Sequence, residues 1–149
     1  KYVDAYYNRG KAKSELEDFQ GAIADFNRAL EIDSANALLY YSRGTLRGRH
    51  LGDYQGAIAD FNRALEIDPK YVDVYYNRGN AKSELEDYQG AIADFNRALE
   101  IDPKYVDAYT NRGVAKGLSG NREGMCLDLL LASSLGDNKA TKWQKEFCR

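Results

Sequence analysis

The segment QGAIADFNRALEID occurs three times without a change, at 20–33, 55–68 and 89–102. Successive copies start 35 and then 34 residues apart. Exact recurrence at this period constrains the chain more than any single residue does. It describes one supersecondary unit that cannot cover its own apolar face and has to stack on its neighbours. The match extends beyond the identical core, since residues 2–32 and 71–101 agree at 28 of 31 places. They differ only at Ala5/Val74, Lys11/Asn80 and Phe19/Tyr88. A fourth, degenerate copy runs from about Val106 to Leu135.

Each copy reads as two helices. The first begins near Val3, Ala37, Val72 or Val106, and the second just after Asp18, Asp53, Asp87 or Asn121. In the second helix Ala22, Ile23, Phe26, Ala29 and Leu30 recur at the period of an α-helix and form one apolar stripe. Asn27, Arg28 and Glu31 fall on the wet side. Asp-Pro-Lys-Tyr at 68–71 and 102–105 stops one helix and permits the next, because Pro has no donor for an interior turn.

These residues resemble the tetratricopeptide repeat across nearly the whole chain, to about residue 137. The small residue of the first helix is Gly10, Gly44, Gly79 and Gly113. In the second helix Ala22, Ala57 and Ala91 precede Phe26, Phe61 and Phe95. Ala29, Ala64, Ala98 and Ala132 follow, with Pro69 and Pro103 at the ends. The resemblance implies an all-α fold, a right-handed superhelical solenoid of antiparallel helix pairs. Four repeats are expected at about 1–35, 36–70, 71–104 and 105–137, the fourth degenerate. Ser34 stands where the first Pro would be. In the fourth repeat Met125 and Leu129 replace the Ala and Phe, Arg122 the aromatic, and Asp137 the Pro. Residues 138–149 then read as a capping helix with Ala140, Trp143 and Phe147 on one face. The first repeat has no such cover, so preceding repeats or self-association through that end are both expected possibilities.

A formal charge of −2, with both signs interleaved, lacks the basic excess through which nucleic-acid binders neutralise phosphate. No apolar run approaches the ~20 residues that span a bilayer. The expected partner is a protein or extended peptide, with no nucleic acid and no membrane insertion.

No catalytic constellation emerges. His50 is the only histidine. It sits with Arg47 and Arg49 where one residue is inserted, and reads as a solvated loop side chain without metal or nucleophile partners. The carboxylates recur in matching places, whereas acid–base catalysis needs two differently tuned carboxyls in one cleft. No glycine-rich phosphate loop is present, and no cofactor or metal is expected. Arg9, Arg43, Arg78 and Arg112 recur beside Asp25, Asp60, Asp94 and Asp128. A partly buried charge demands a partner, so these read as repeated ion pairs between the two helices.

The family resemblance places the first helices on a concave surface. It assigns to that face Asp4, Tyr7, Lys11, Ser14 and Glu15, then Leu38, Tyr41, Thr45, Gly48 and Arg49. Asp73, Tyr76, Asn80, Ser83 and Glu84 follow, then Asp107, Thr110, Val114, Gly117 and Leu118, with Asn8, Asn77 and Asn111 at the edge. Tyr offers large rigid contact area with a polar tip, and Asn can bond an extended backbone. Tyr6, Tyr40, Tyr75 and Tyr109 read instead as a ladder between adjacent first helices. Chaperone-binding members of the family hold a C-terminal carboxylate with a Lys/Asn/Arg clamp. That clamp does not map here, because Tyr7, Tyr41 and Tyr76 occupy the place of its first Lys.

Cys126 and Cys148 are the only cysteines. If their helices form a hairpin turning near Gly136, they lie ~15 and ~18 Å along their axes, nearly level. A disulfide is then within reach. Two reduced thiols are the alternative, with Cys126 packed as a small apolar residue. Reduced thiols accord with a cytoplasmic protein and a bridge with a periplasmic or secreted one.

Overall fold

The computed structural model describes residues 2–148; Lys1 and Arg149, which bound the expected first repeat and cap, lie outside the described residues. Those described form nine helices and no strand. They are α1 (Tyr2–Glu15), α2 (Phe19–Ile32), α3 (Ala37–Leu51), α4 (Tyr54–Ile67), α5 (Val72–Glu84), α6 (Tyr88–Ile101), α7 (Val106–Leu118), α8 (Arg122–Ser134) and α9 (Asn138–Phe147). The chain falls into two compact units, one ending at Val74 and the other beginning at Tyr75.

Each second helix starts by the same device. The side chains of Asp18, Asp53, Asp87 and Asn121 accept a hydrogen bond from the amide three residues on, satisfying one of the donors a helix N-terminus leaves open.

In the first unit Ala22, Phe26, Ala29 and Leu30 of α2 cluster with Leu39 and Leu46 of α3. Burial of a side chain such as Phe26, 2% exposed, contributes about 1.5–3 kcal/mol. The first helix approaches so closely that a Cβ on Gly10 would lie 2.8 Å from the Phe26 ring. In the second unit the corresponding distance, Gly79 to Phe95, would be 2.7 Å.

The fourth helix pair solves the same contact differently. Met125 takes the place of the small Ala, and Gly117 makes room, since a Cβ there would meet the Met125 sulfur at 2.6 Å. α9 packs on α8 through Ala140, which is fully buried, and Trp143. Asp137 caps α9 by accepting from the amides of Lys139 and Ala140. Arg122 donates to the Phe147 carbonyl at the far end of the same helix. Cys126 and Cys148 form a disulfide with Cα atoms 5.6 Å apart, so the reduced-thiol alternative does not describe this structure.

Several sequence expectations are corrected. His50 lies on α3, not in a loop, because the inserted residue extends the helix to Leu51 before Gly52 ends it with φ 64°. Phe147 lies on the same side of α9 as Ala140, at the end beyond the cover, and is 45% exposed. Asn27 is half-buried rather than wet, and accepts a 2.6 Å hydrogen bond from Arg43. The outer side of α8 is apolar where earlier copies are small or polar, with Leu127, Leu130 and Leu131 about half exposed.

Candidate functional site

The first helices carry two layers of side chains with different tasks. The inner layer is electrostatic. Arg9 donates from Nε and Nη2 to the two oxygens of Asp25 at 2.7 and 2.6 Å, and Lys13 Nζ lies 2.9 Å from Oδ2. Arg43 and Arg47 treat Asp60 in the same way. So do Arg78 and Lys82 with Asp94, and Arg112 and Lys116 with Asp128. All four carboxylates are at most 4% exposed. The guanidinium fork matches the carboxylate geometry, which makes these charge-assisted pairs strong. Hydrogen bonding from Arg9 holds the Asp25 carboxyl down at about 2, against the opposing effect of burial and with further help from Lys13. The expected Arg–Asp pairing is thus a three-member cluster. Its second cation stands four residues after each Arg, at Lys13, Arg47, Lys82 and Lys116, a spacing that is itself the sequence signal.

The expected Tyr ladder takes another form. Tyr6 lies under Arg9 and Arg28, Tyr40 under Arg43 and Arg63, and Tyr75 under Arg78 and Arg97, at 5.4–5.9 Å. These cation–π contacts hold each ring within its own helix pair.

The outer layer holds the expected groove residues. Asp4, Asn8, Lys11, Arg49, Asp73 and Asp107 are exposed. Tyr7, Tyr41, Thr45, Tyr76, Asn80 and Asn111 are half-buried, and Asn77 is 8% exposed. Tyr7 rests against Phe26, with ring centres 6.0 Å apart. Tyr41 lies between Phe61 and Tyr71, and Tyr76 between Phe95 and Tyr105. Burial pushes the Tyr71 hydroxyl up to about 12. Two residues assigned to the groove do not face it: Gly48 looks onto Ala57 and Gly117 onto Met125. Thr110 is tied down, its hydroxyl bonded to Asp137 at 2.5 Å. Burial would raise the Asp137 carboxyl, but this bond and the amides of Ala140 and Lys139 bring it below its ordinary value.

The structure gathers these residues in two places. In the first unit Tyr7, Lys11 and Glu15 of α1 face Tyr41, Ser42 and Thr45 of α3 around a hollow of about 220 Å³ floored by Phe26 and Leu46. His50 also lines it, its ring stacked on Phe19 at 4.4 Å. The Thr45 hydroxyl is buried without a hydrogen-bond partner. In the second unit Asn111 of α7 donates to the Tyr76 hydroxyl at 3.0 Å and to Asn80 at 2.8 Å, bridging α7 and α5. Ser42 and His50 were not anticipated as part of this face. Alignment of the copies places Ser42 level with Asn8, Asn77 and Asn111, which was the available signal. Among the described residues no group of three or more His, Cys, Asp or Glu is placed to hold a metal ion. No described helix is long and apolar enough to cross a membrane.

A helix pair repeated around alanine and phenylalanine contacts, with tyrosines on the first helix, defines a class. The tetratricopeptide repeat family matches residues 3–36 and 72–105, and the TPR repeat matches 48–85, together more than half of the sequence. The chain belongs to the tetratricopeptide repeat family. Among solved structures it is similar to YrrB, described as a TPR protein with an unusual peptide-binding site. That likeness has 26% identity and a TM-score of 0.86, covering 97% of this chain and 74% of that one. The Arabidopsis OM64 TPR domain is similar at 29% identity and TM-score 0.73, covering 77% of this chain and 94% of that one. The first TPR of Spaghetti, bound to an HSP90 peptide, shares the fold at 22% identity and TM-score 0.77, covering 79% and 93%. No curated protein matches the sequence.

Proposed function

We propose that the chain is a non-catalytic interaction scaffold of four repeats and a terminal capping helix, which binds an extended peptide or protein segment along the face of its first helices. One observation carries this reading. The arginines of the inner layer are committed to carboxylates, whereas Lys11, 5.9 Å from the Tyr7 ring centre, and Arg49, on the helix that carries Tyr41, stand exposed. Rigid aromatic area rimmed by exposed charge is the composition of a recognition surface. Peptide-bound and peptide-binding neighbours of the same fold support the choice of ligand. Exposed Asp4, Asp73 and Asp107 add acidic positions, so selection works by charge pattern. The test is selection from a displayed library of random extended peptides, followed by fluorescence polarisation. Selected peptides are expected to carry a carboxylate and to bind Lys11→Glu and Arg49→Glu variants at least tenfold more weakly. Equal binding to both variants would remove the first-helix face as the site.

A further inference from the structure

The face between first helices differs from place to place in one respect. In the second unit Asn111 spans from α7 to the Tyr76 hydroxyl and to Asn80 of α5. Three of the four copies carry Asn at this place, namely Asn8, Asn77 and Asn111, and the second copy carries Ser42. Ser is shorter by one amide group and cannot make the same span. Opposite it stands Lys11 where the third copy has Asn80, and a cation cannot accept a bond from an Asn amide. Between Ser42 and Tyr7 the structure has the hollow, not a bridge.

We propose that this hollow is the anchor pocket of the groove and takes a single aromatic side chain of the bound peptide. The inference rests on the first-helix reading given above and names the chemistry that the face selects. Size limits the occupant: about 220 Å³ falls below the ~300–1,000 Å³ of pockets that enclose whole small molecules, and suits one large side chain. The walls select its type. Tyr7 and Tyr41 present ring surface, Phe26 and Leu46 form an apolar floor, and offset or edge-to-face packing favours a further ring. Lys11 Nζ already lies 5.9 Å from the Tyr7 ring centre at the rim, where its charge attracts the face of an entering ring as well. An aliphatic side chain receives the floor but neither of these contacts.

The experiment is a titration of the folded chain with N-acetyl-phenylalaninamide, N-acetyl-tyrosinamide and N-acetyl-leucinamide, read by amide chemical shifts. Both aromatic amides are expected to shift the amides of Tyr41 to Leu46, binding at least fivefold more tightly than the leucine amide. Ser42→Asn, which installs the residue the other three copies already carry, should abolish those shifts without lowering Tm. Asn111→Ser should open a second set of aromatic-induced shifts on α7. Leucine amide binding as tightly as the aromatic ones, shifts that survive Ser42→Asn, or an Asn111→Ser chain that gains none would each overturn the proposal. The titration reads the hollow directly. Silent fragments alongside peptides that still depend on Lys11 and Arg49 would discard the anchor and keep the groove, whereas peptides indifferent to both charges would discard the groove itself.

Discussion

Backbone conformation at two glutamates shows what one residue costs a helix turn. Glu17 and Glu86 both have φ 61°, a left-handed conformation in which a Cβ is crowded by its own carbonyl. The other two copies place Gly52 and Gly120 at their corresponding turns, also at positive φ. Glu86→Gly should therefore raise stability by up to about 1 kcal/mol, since strain relief exceeds the added entropy of the unfolded chain. A lower denaturation midpoint would refute that. Gly79 is the opposite case: Gly79→Ala drives a methyl into Phe95 and should cost about 1–3 kcal/mol, against less than about 0.5 kcal/mol for Gln89→Ala on the exposed side. Chemical denaturation of the pair decides it. At Asp25 the folded-state pKa of about 2 lies below the ordinary value near 3.9. A depressed carboxyl contributes stability that is complete above about pH 4 and lost as pH falls toward 2. Acid titration of Asp25→Asn should accordingly be flatter over that window than that of the parent. The repeated Arg–Asp register was legible because it survives in the fourth copy. The conformation of Glu17 was not, because nothing in its side chain requires φ above zero.

At the scale of an element, the instructive helices are α8 and α9. Two departures of the fourth copy from its siblings are adjustments to the cap. Arg122, in place of an aromatic, bonds the last carbonyl of α9, and Asp137, in place of Pro, caps its first turn and holds Thr110. The hydrophobic stripe and the N-cap residues locate the second helix of each pair from spacing alone, because helix period and capping chemistry are local. The adaptation of the cap is a contact between residues 25 to 27 apart, which no local pattern encodes. His50 was misplaced for a related reason: an inserted residue suggests a longer loop, but Leu51 and Gly52 let the helix absorb it. The disulfide ties α9 to α8 across a separation of 22 residues. In the loop-closure view Cys148→Ser should cost about 3 kcal/mol. A melting curve coincident with that of the parent, or one unchanged by reductant, would show that the bridge contributes nothing.

Across the whole molecule, repetition alone sets the class of fold, while the face of the first helices is legible in the sequence only in outline. Family resemblance assigns Tyr7, Tyr41 and Tyr76 alike to that face. It does not separate a hollow beside Tyr7 from a bridged surface beside Tyr76, since the two places differ by Ser42 for Asn111 and Lys11 for Asn80. Binding at that face should weaken as salt rises from 0.05 to 0.5 M, by roughly tenfold for a carboxylate-bearing peptide, because exposed Lys11 and Arg49 are screened over distances of about 10 Å. Salt-independent affinity would argue that apolar contact alone drives capture. The clusters around Asp25, Asp60, Asp94 and Asp128 carry one further consequence. Each buried anion is answered by at least two cations from its own helix pair, so a stretch of coding sequence duplicated or deleted as a block takes its counter-ions with it. Such a change leaves no orphaned charge at the new junction, and the number of copies is free to drift over evolutionary time without passing through an intermediate that cannot fold.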